Sequence, residues 1–346
     1  MMWWLGLSAF LASLAGTWVV LGYARRHAVF DVPNERSSHV RPTPRGGGLA
    51  FVVVISAMTL LLAISDRVAA RVAAAIVVGG LLLGTVGWVD DRRGLRPSLR
   101  LVIQVAAATI AVTLLGGLPS VAAFGQTVDT GPAGALAAVV GLVWLINLFN
   151  FMDGIDGIAA SQGALVSATA AVVLLRAGDS GIGSVALVAA AALLGFLRWN
   201  WAPASIFMGD VGSGFIGFIA GVIGIASEHD GRFGVLGVLA VASPFVVDAT
   251  LTLVSRLLRG ERPWSPHRTH AYQRAALSCG SHAPVALAYV SLAAGISIGT
   301  TWWLNGHRDA AVPCVVALVG LSILYGVWSS MGSTVRGPQS DVRRPE

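Results

Sequence analysis

Apolar runs long enough to cross a bilayer as helices recur from one end of this chain to the other. Roughly 20 residues suffice for one crossing. In hydrocarbon such a run must satisfy its own backbone, which favours helices over irregular chain. Composition points the same way. Of 346 residues, 55% are hydrophobic and 12% are charged, about half the charged fraction of a soluble domain, and mean hydropathy is +0.75. The expectation is an all-α, polytopic integral membrane bundle. No soluble-looking segment is long enough to fold alone. One transmembrane domain is therefore expected over 1–335, followed by a polar, disordered cytoplasmic tail over 336–346.

Charge orients the spans. Met1 to Tyr23 is apolar and is followed by Arg25 and Arg26. A cleavable signal peptide carries its positive charge before the apolar run, so this segment reads as a retained first helix with its N-terminus outside. Alternation then places spans at 48–64, 72–89, 99–115, 133–150, 158–175, 182–199, 215–227, 233–257, 284–304 and 311–328, with an external loop over 116–132. The expected count is ten or eleven. Arg67, Arg71, Arg176, Arg232 and Arg308 then face outward and every other arginine inward, as the positive-inside rule asks. All 23 basic residues are arginine, and the net charge is +6. In a soluble protein that excess suggests nucleic acid. Here it reads as topology and a preference for anionic lipid and phosphate, with no nucleic-acid partner. Cys279 and Cys314 make neither a disulfide framework nor a thiolate metal site.

Under this topology Asp90, Asp91, Asp153, Asp156 and Asp210 share the cytoplasmic face with the basic loops over 24–47 and 256–282. Acids at a membrane boundary are costly unless they work or are paired. Asp90-Asp91 ends the third span, and two adjacent carboxylates need a cation or arginines to stay ionised. One of them can serve as a general base; an ordinary ion-pair cluster at a loop end is the plainer reading. The stretch Asn147-Leu-Phe-Asn150-Phe-Met-Asp153-Gly-Ile-Asp156-Gly157 offers oxygen ligands suited to Mg²⁺ or Mn²⁺. If helical, it sets Asp153 and Asp156 on one face; alternatively, Asp156 caps a helix. Gly209-Asp210-Val-Gly-Ser-Gly214 reads as a helix start whose backbone N–H groups face phosphate. The loop from Asp31 to Gly48 carries Arg45 within Pro-Arg-Gly-Gly-Gly. The segment from Ser265 to Arg274, with Arg268, His270 and Arg274, is dense in anion donors. Asp248 lies inside a span, where an acid is a functional candidate by default and a structural pairing is as good a reading.

Taken in order, these motifs resemble the polyprenyl-phosphate N-acetylhexosamine-1-phosphate transferases, glycosyltransferase family 4, from about Asp31 to Arg274. The resemblance implies transfer of a sugar 1-phosphate from a UDP-linked N-acetylated sugar to undecaprenyl phosphate, with Mg²⁺ or Mn²⁺ and release of UMP. It implies metal ligation by Asn150 and Asp210, a catalytic pair at Asp90 and Asp91, and Asp153 and Asp156 on the nucleotide side. Arg100, Arg45, Arg268, His270 and Arg274 are then expected to bind substrate. The setting implied is the bacterial cytoplasmic membrane, with the site facing the cytoplasm and lipid and substrate as partners; a homodimer is compatible. Three departures stand out. Arg100 occupies a place usually held by lysine, keeping the charge on a planar fork. Ser37 and Ser38 stand where a lysine often precedes the histidine. In the last loop His270 keeps the first histidine of His-x-His-His, while Tyr272 and Gln273 replace the others. That form is similar to the subgroup that starts O-antigen chains with N-acetylfucosamine or N-acetylquinovosamine, which sets these beside N-acetylglucosamine as expected sugars.

Two other readings compete. An intramembrane Mg²⁺-dependent prenyltransferase would show Asp-Asp-x-x-Asp, and Gly94 breaks that pattern. A transporter would keep charge near the midplane, where only Asp248 lies.

Overall fold

The computed structural model describes residues 2–33, 41–118, 120–228, 233–261, 268–307 and 309–333. The expected tail over 336–346 and residues Ser37 and Ser38 lie outside these. The chain runs through α1 (Met2–Arg26), a short ladder of β1 (Phe30–Asp31) with β2 (Thr43–Pro44), α2 (Gly48–Ile64), α3 (Ala70–Arg93) and α4 (Pro97–Leu115). A hairpin of β3 (Ser120–Ala123) and β4 (Gln126–Asp129) follows, then α5 (Gly131–Phe151), α6 (Ile158–Arg176), α7 (Ser180–Asn200) and α8 (Asp210–Glu228). The rest is α9 (Gly234–Val241), α10 (Ser243–Leu258), α11 (Ala271–Cys279), α12 (Ala283–Gly306) and α13 (Ala311–Ser333).

Every apolar run of the sequence lies in a helix. Among the described residues, eight helices are long and apolar enough to cross a membrane. α2 and the stretch Ala311–Gly326 of α13 are apolar but shorter. The run over 233–257 is not one straight span: α9 and α10 meet at a bend of 76°. Pro244, in the first turn of α10, has no N–H to carry a helix through Ala242. The loop over 116–132 is also more ordered than expected. Phe124 and Gly125, both at positive φ, make the tight turn of a hairpin. Asp309 accepts from the N–H of both, at 3.1 and 2.8 Å.

α8 is the axis of the bundle. Val211 to Glu228 are buried throughout, and the helix touches α2, α3, α4, α5, α6, α7 and α9. Lipid tails are as apolar as leucine, so helices associate in a membrane through close packing of small residues. At Gly87 of α3 a Cβ would lie 2.4 Å from the Val211 nitrogen. Only glycine lets α3 come this near, and that approach brings the last turn of α3 to the first turn of α8. On the outside, Trp3, Trp4, Trp18, Leu81, Ile298, Trp302 and Ile323 are exposed. Apolar surface of this extent suits hydrocarbon.

Candidate active site

Four helix ends and one loop converge at one end of the bundle. The last turn of α3 supplies Asp90 and Asp91. Pro97 starts α4 and places Arg100 one turn in. α5 ends with Asn147 and Asn150, and α8 begins at Asp210. The loop carrying Arg45 is laced to the segment before α8. Phe207 N–H donates to the Pro44 carbonyl at 2.8 Å, Gly47 N–H to Phe207 at 2.9 Å, and Gly48 N–H to Met208 at 3.0 Å. The Pro-Arg-Gly-Gly-Gly run is therefore a seam that fixes Arg45 over Asp210.

Three carboxylates and two guanidinium groups share the space so formed. Arg100 Nη1 lies 2.5 Å from Asp90 Oδ2 and 3.2 Å from Asp210 Oδ2. Arg45 pairs with Asp91 Oδ1 and reaches Asp210 Oδ1 at 3.7 Å. Asn150 Nδ2 donates to Asp210 Oδ1 and to Ser213 Oγ, each at 3.0 Å. With its nitrogen so engaged, the amide has its carbonyl oxygen left to offer. Asp210 is thus the node that meets both arginines and the asparagine. Burial would lower the Arg45 pKa, but Asp91, Asp210, Asp31 and Asp90 outweigh it and hold the guanidinium above its ordinary value.

The adjacent pair Asp90 and Asp91 does not act as a pair. Asp90 turns to Arg100 and to the Leu95 N–H at 2.5 Å. Asp91 turns the other way and accepts the Asp210 N–H at 3.0 Å. Their side chains are 7% and 2% exposed, against 25% for Asp210. The most open of the three carboxylates is Asp210, with Asp90 beside it on the wall of the cleft and Asp91 behind. At the helix start after Gly209 the Asp210 N–H goes to Asp91, and those of Gly212 and Ser213 go to the Gly209 carbonyl. Gly209, at φ +73°, leaves room for Asp91, whose Oδ2 would lie 2.2 Å from a Cβ there. That Oδ2 is buried and meets no hydrogen-bond partner.

A narrow cleft of about 30 Å³ opens on this cluster, with Asp90, Arg100, Asn150 and Asp210 on its polar side and Leu83, Val86 and Ile146 on the other. Gln104, also on its wall, accepts from Asn147 Nδ2 at 2.7 Å. Both residues escaped the sequence reading of roles, although Asn147 sits one turn before Asn150.

Asp153 and Asp156 are not on a helix face. α5 ends at Phe151, and α6 starts after Gly157, whose φ of +77° makes it the N-cap. Within the turn the two acids diverge. Loss of hydration, then the charge of Asp210, pushes the Asp153 carboxyl well above the usual carboxylate range. Asp156 does not cap α6. It accepts the Ala204 N–H at 3.0 Å and lies 3.1 Å from His282 Nδ1. His282, a lone histidine before a proline-started helix, gave no sequence signal. It lines a second, wider cavity of about 700 Å³ with Arg25, Arg41, Asp156 and Phe207.

The last expected donors are dispersed. Arg268 is exposed ahead of α11 and Arg274 is half-buried on it. His270 is buried, with Nδ1 3.5 Å from Asp248, so it faces a different acid from those of the cluster. Cys279 and Cys314 are both free.

A family model described as glycosyl transferase family 4 matches residues 73–228, the stretch holding Asp90, Asp91, Arg100, Asn150, Asp153, Asp156 and Asp210. The chain is similar to the decaprenyl-phosphate N-acetylglucosaminephosphotransferase of Mycolicibacterium smegmatis, 30% identical over 306 residues, 78% of this chain and 74% of the relative. The Mycobacterium leprae protein of the same name is 30% identical over 361 residues, 93% of this chain and 88% of the relative. A phospho-N-acetylmuramoyl-pentapeptide-transferase of Picosynechococcus is 30% identical over 268 residues, 70% and 68% of the two chains.

Proposed function

The chain belongs to glycosyl transferase family 4, and we propose that it moves the sugar 1-phosphate of a UDP-linked N-acetylated hexosamine onto undecaprenyl phosphate, releasing UMP. The observation that carries this reading is the half-open Asp210, joined to two arginines and an asparagine at the mouth of a cleft with one apolar wall. A lipid phosphate can meet an acid only where bilayer and water meet, and this cleft sets acids and arginines beside an apolar wall.

Phosphoryl transfer needs charge neutralisation and alignment more than a strong nucleophile. An oxygen of the lipid phosphate bonds to the phosphorus of the sugar 1-phosphate. The bond from that phosphorus to the UMP oxygen breaks, and UMP leaves with the electron pair. Arg45 and Arg100 draw the two anions together and offset charge on the transferring group. Asp90 orients Arg100. Asp91 orients Arg45 and the Asp210 backbone, while Asp90 also faces the cleft. The larger cavity beyond Asp156, with Arg25, Arg41 and His282 on its wall, is assigned to the nucleotide.

A divalent cation fits the donors present. Among the described residues no group of three or more His, Cys, Asp or Glu side chains is disposed to hold a metal by itself. Asp210 and the Asn150 carbonyl offer two hard oxygen ligands, and Mg²⁺ characteristically takes one or two protein oxygens and completes its shell with phosphate and water. When bound, Mg²⁺ or Mn²⁺ would neutralise diphosphate charge.

The setting proposed is the cytoplasmic face of the bacterial inner membrane, with the N-terminus outside. The product would begin a surface polysaccharide such as O-antigen, and the sugar is N-acetylglucosamine, N-acetylfucosamine or N-acetylquinovosamine. The test is incubation of membranes containing the chain with undecaprenyl phosphate, Mg²⁺ and each UDP-sugar. UMP release with at least one sugar is expected; no UMP with any of them contradicts the reading.

A further inference from the structure

One buried acid lies outside this chemistry, and its surroundings show what it is for. Asp248, on α10, is 2% exposed. Its Oδ1 accepts from Ala271 N–H at 2.8 Å and Thr252 Oγ at 3.2 Å. Its Oδ2 accepts from Tyr272 N–H at 3.0 Å and from the Tyr289 hydroxyl at 2.7 Å. The first amides of a helix have no partner within it. The residue at the N-cap of α11, His270, makes no side-chain cap. Asp248 does this from another helix, and so fixes where α11 begins and how it is turned.

What α11 delivers is Tyr272. Its side chain is fully buried, edge-on to Tyr289 with ring centroids 6.5 Å apart. Its hydroxyl donates to the Phe151 carbonyl at 2.9 Å, the point where α5 gives way to the turn holding Asp153 and Asp156. Gly154 leaves the space for this. A Cβ there would lie 2.2 Å from the Tyr272 oxygen and 3.1 Å from Gln273 Nε2. The anion-rich loop of the sequence thus reaches the candidate site by bracing the 152–157 turn from beneath.

We propose that Asp248 and Tyr272 form a brace that shapes the Asp153–Asp156 turn, which makes Tyr272 a positioning residue for the sugar-nucleotide donor. The proposal rests on the transferase reading for its substrate, and its geometry stands without it. Three full-length variants in nanodiscs test it: Tyr272→Phe, Gly154→Ala and the double variant. Loss of one hydroxyl contact is expected to raise donor KM about threefold in Tyr272→Phe, with the KM for undecaprenyl phosphate within about twofold. Gly154→Ala, which drives a methyl into the hydroxyl, is expected to raise donor KM about tenfold, and the double variant to recover most of that loss, because contacting sites couple. Equal losses in kcat and both KM values, or a double variant no better than Gly154→Ala, overturn the brace. Hydrogen exchange provides an arm independent of activity. Amides over 152–157 are expected to exchange faster in Tyr272→Phe at unchanged global melting temperature, and unchanged exchange there overturns the proposal. A wild-type chain with no transfer activity would instead remove the transferase reading while the exchange arm still decides the brace.

Discussion

Asp210 and Asp248 are both acids on helices of a membrane bundle, and they are served in opposite ways. Asp210 meets two arginines, an asparagine and two further carboxylates nearby, and a quarter of its side chain is open. Asp248 meets backbone amides and hydroxyls, each within 3.2 Å, with His270 Nδ1 at 3.5 Å, and is closed. Backbone amides and hydroxyls that fill both oxygens of a closed acid make a joint. Charged donors gathered around a partly open carboxylate leave it something to bind. An intramembrane acid is a functional candidate by default, and the identity of its donors and its exposure decide which kind it is.

The comparison can be broken by substitution. The largest effect is expected at Arg100, which links Asp90 to Asp210 and faces the cleft: Arg100→Ala should lower kcat about 10²- to 10³-fold in the UMP-release assay. Arg100→Lys should recover only part, since a point charge replaces a two-pronged donor. A near-normal rate in Arg100→Ala would place the chemistry elsewhere. Next comes Arg45→Ala, which strips Asp91 of its cation in a buried setting and is expected to cost about 3 kcal/mol of stability. The measurement is thermal unfolding in detergent, and an unchanged midpoint would show that Arg45 does not hold Asp91. Asp248→Asn keeps one acceptor oxygen and should destabilise by about 2 kcal/mol, through donors left unsatisfied at the start of α11.

The smallest effect concerns pH. Asp153 has its folded pKa raised, by loss of hydration first and the charge of Asp210 second. A carboxyl that binds its proton more tightly when folded contributes stability present below the ordinary value of 3.8, and that contribution is lost as pH rises towards the folded pKa. Melting midpoints of the wild type should therefore fall, relative to those of Asp153→Asn, as pH is raised from about 4. Parallel profiles would show that Asp153 titrates as an ordinary surface acid.

Much of this was legible in the sequence, because hydropathy acts locally. Each apolar run became a helix, and Asp90, Asn150, Asp210, Arg45 and Arg100 came together as their shared face implies. What stayed hidden depends on contacts between distant segments. A hydropathy window over 233–257 cannot register a bend, although Pro244 marked it. Asp90 and Asp91 are neighbours with opposite partners, and only the seam between residues 44–48 and 207–208 separates their roles. Asp153 and Asp156 looked like one face of a helix, but α5 stops at Phe151. Tyr272 stood in a loop that reads as anion-binding, and its burial beneath Gly154 has no signature in the loop itself. His282 likewise acquires meaning only from Asp156, far from it in sequence.

The most direct test compares turnover per folded molecule, at saturating UDP-sugar, in Asp210→Asn and Asp248→Asn. Asp210→Asn should lose about 10³-fold in kcat while inserting normally, as expected for a group that meets charge in the transition state. Asp248→Asn should stay within about tenfold of wild type, its main defect being stability. An active Asp210→Asn protein, or equal losses in the two variants, would contradict the account.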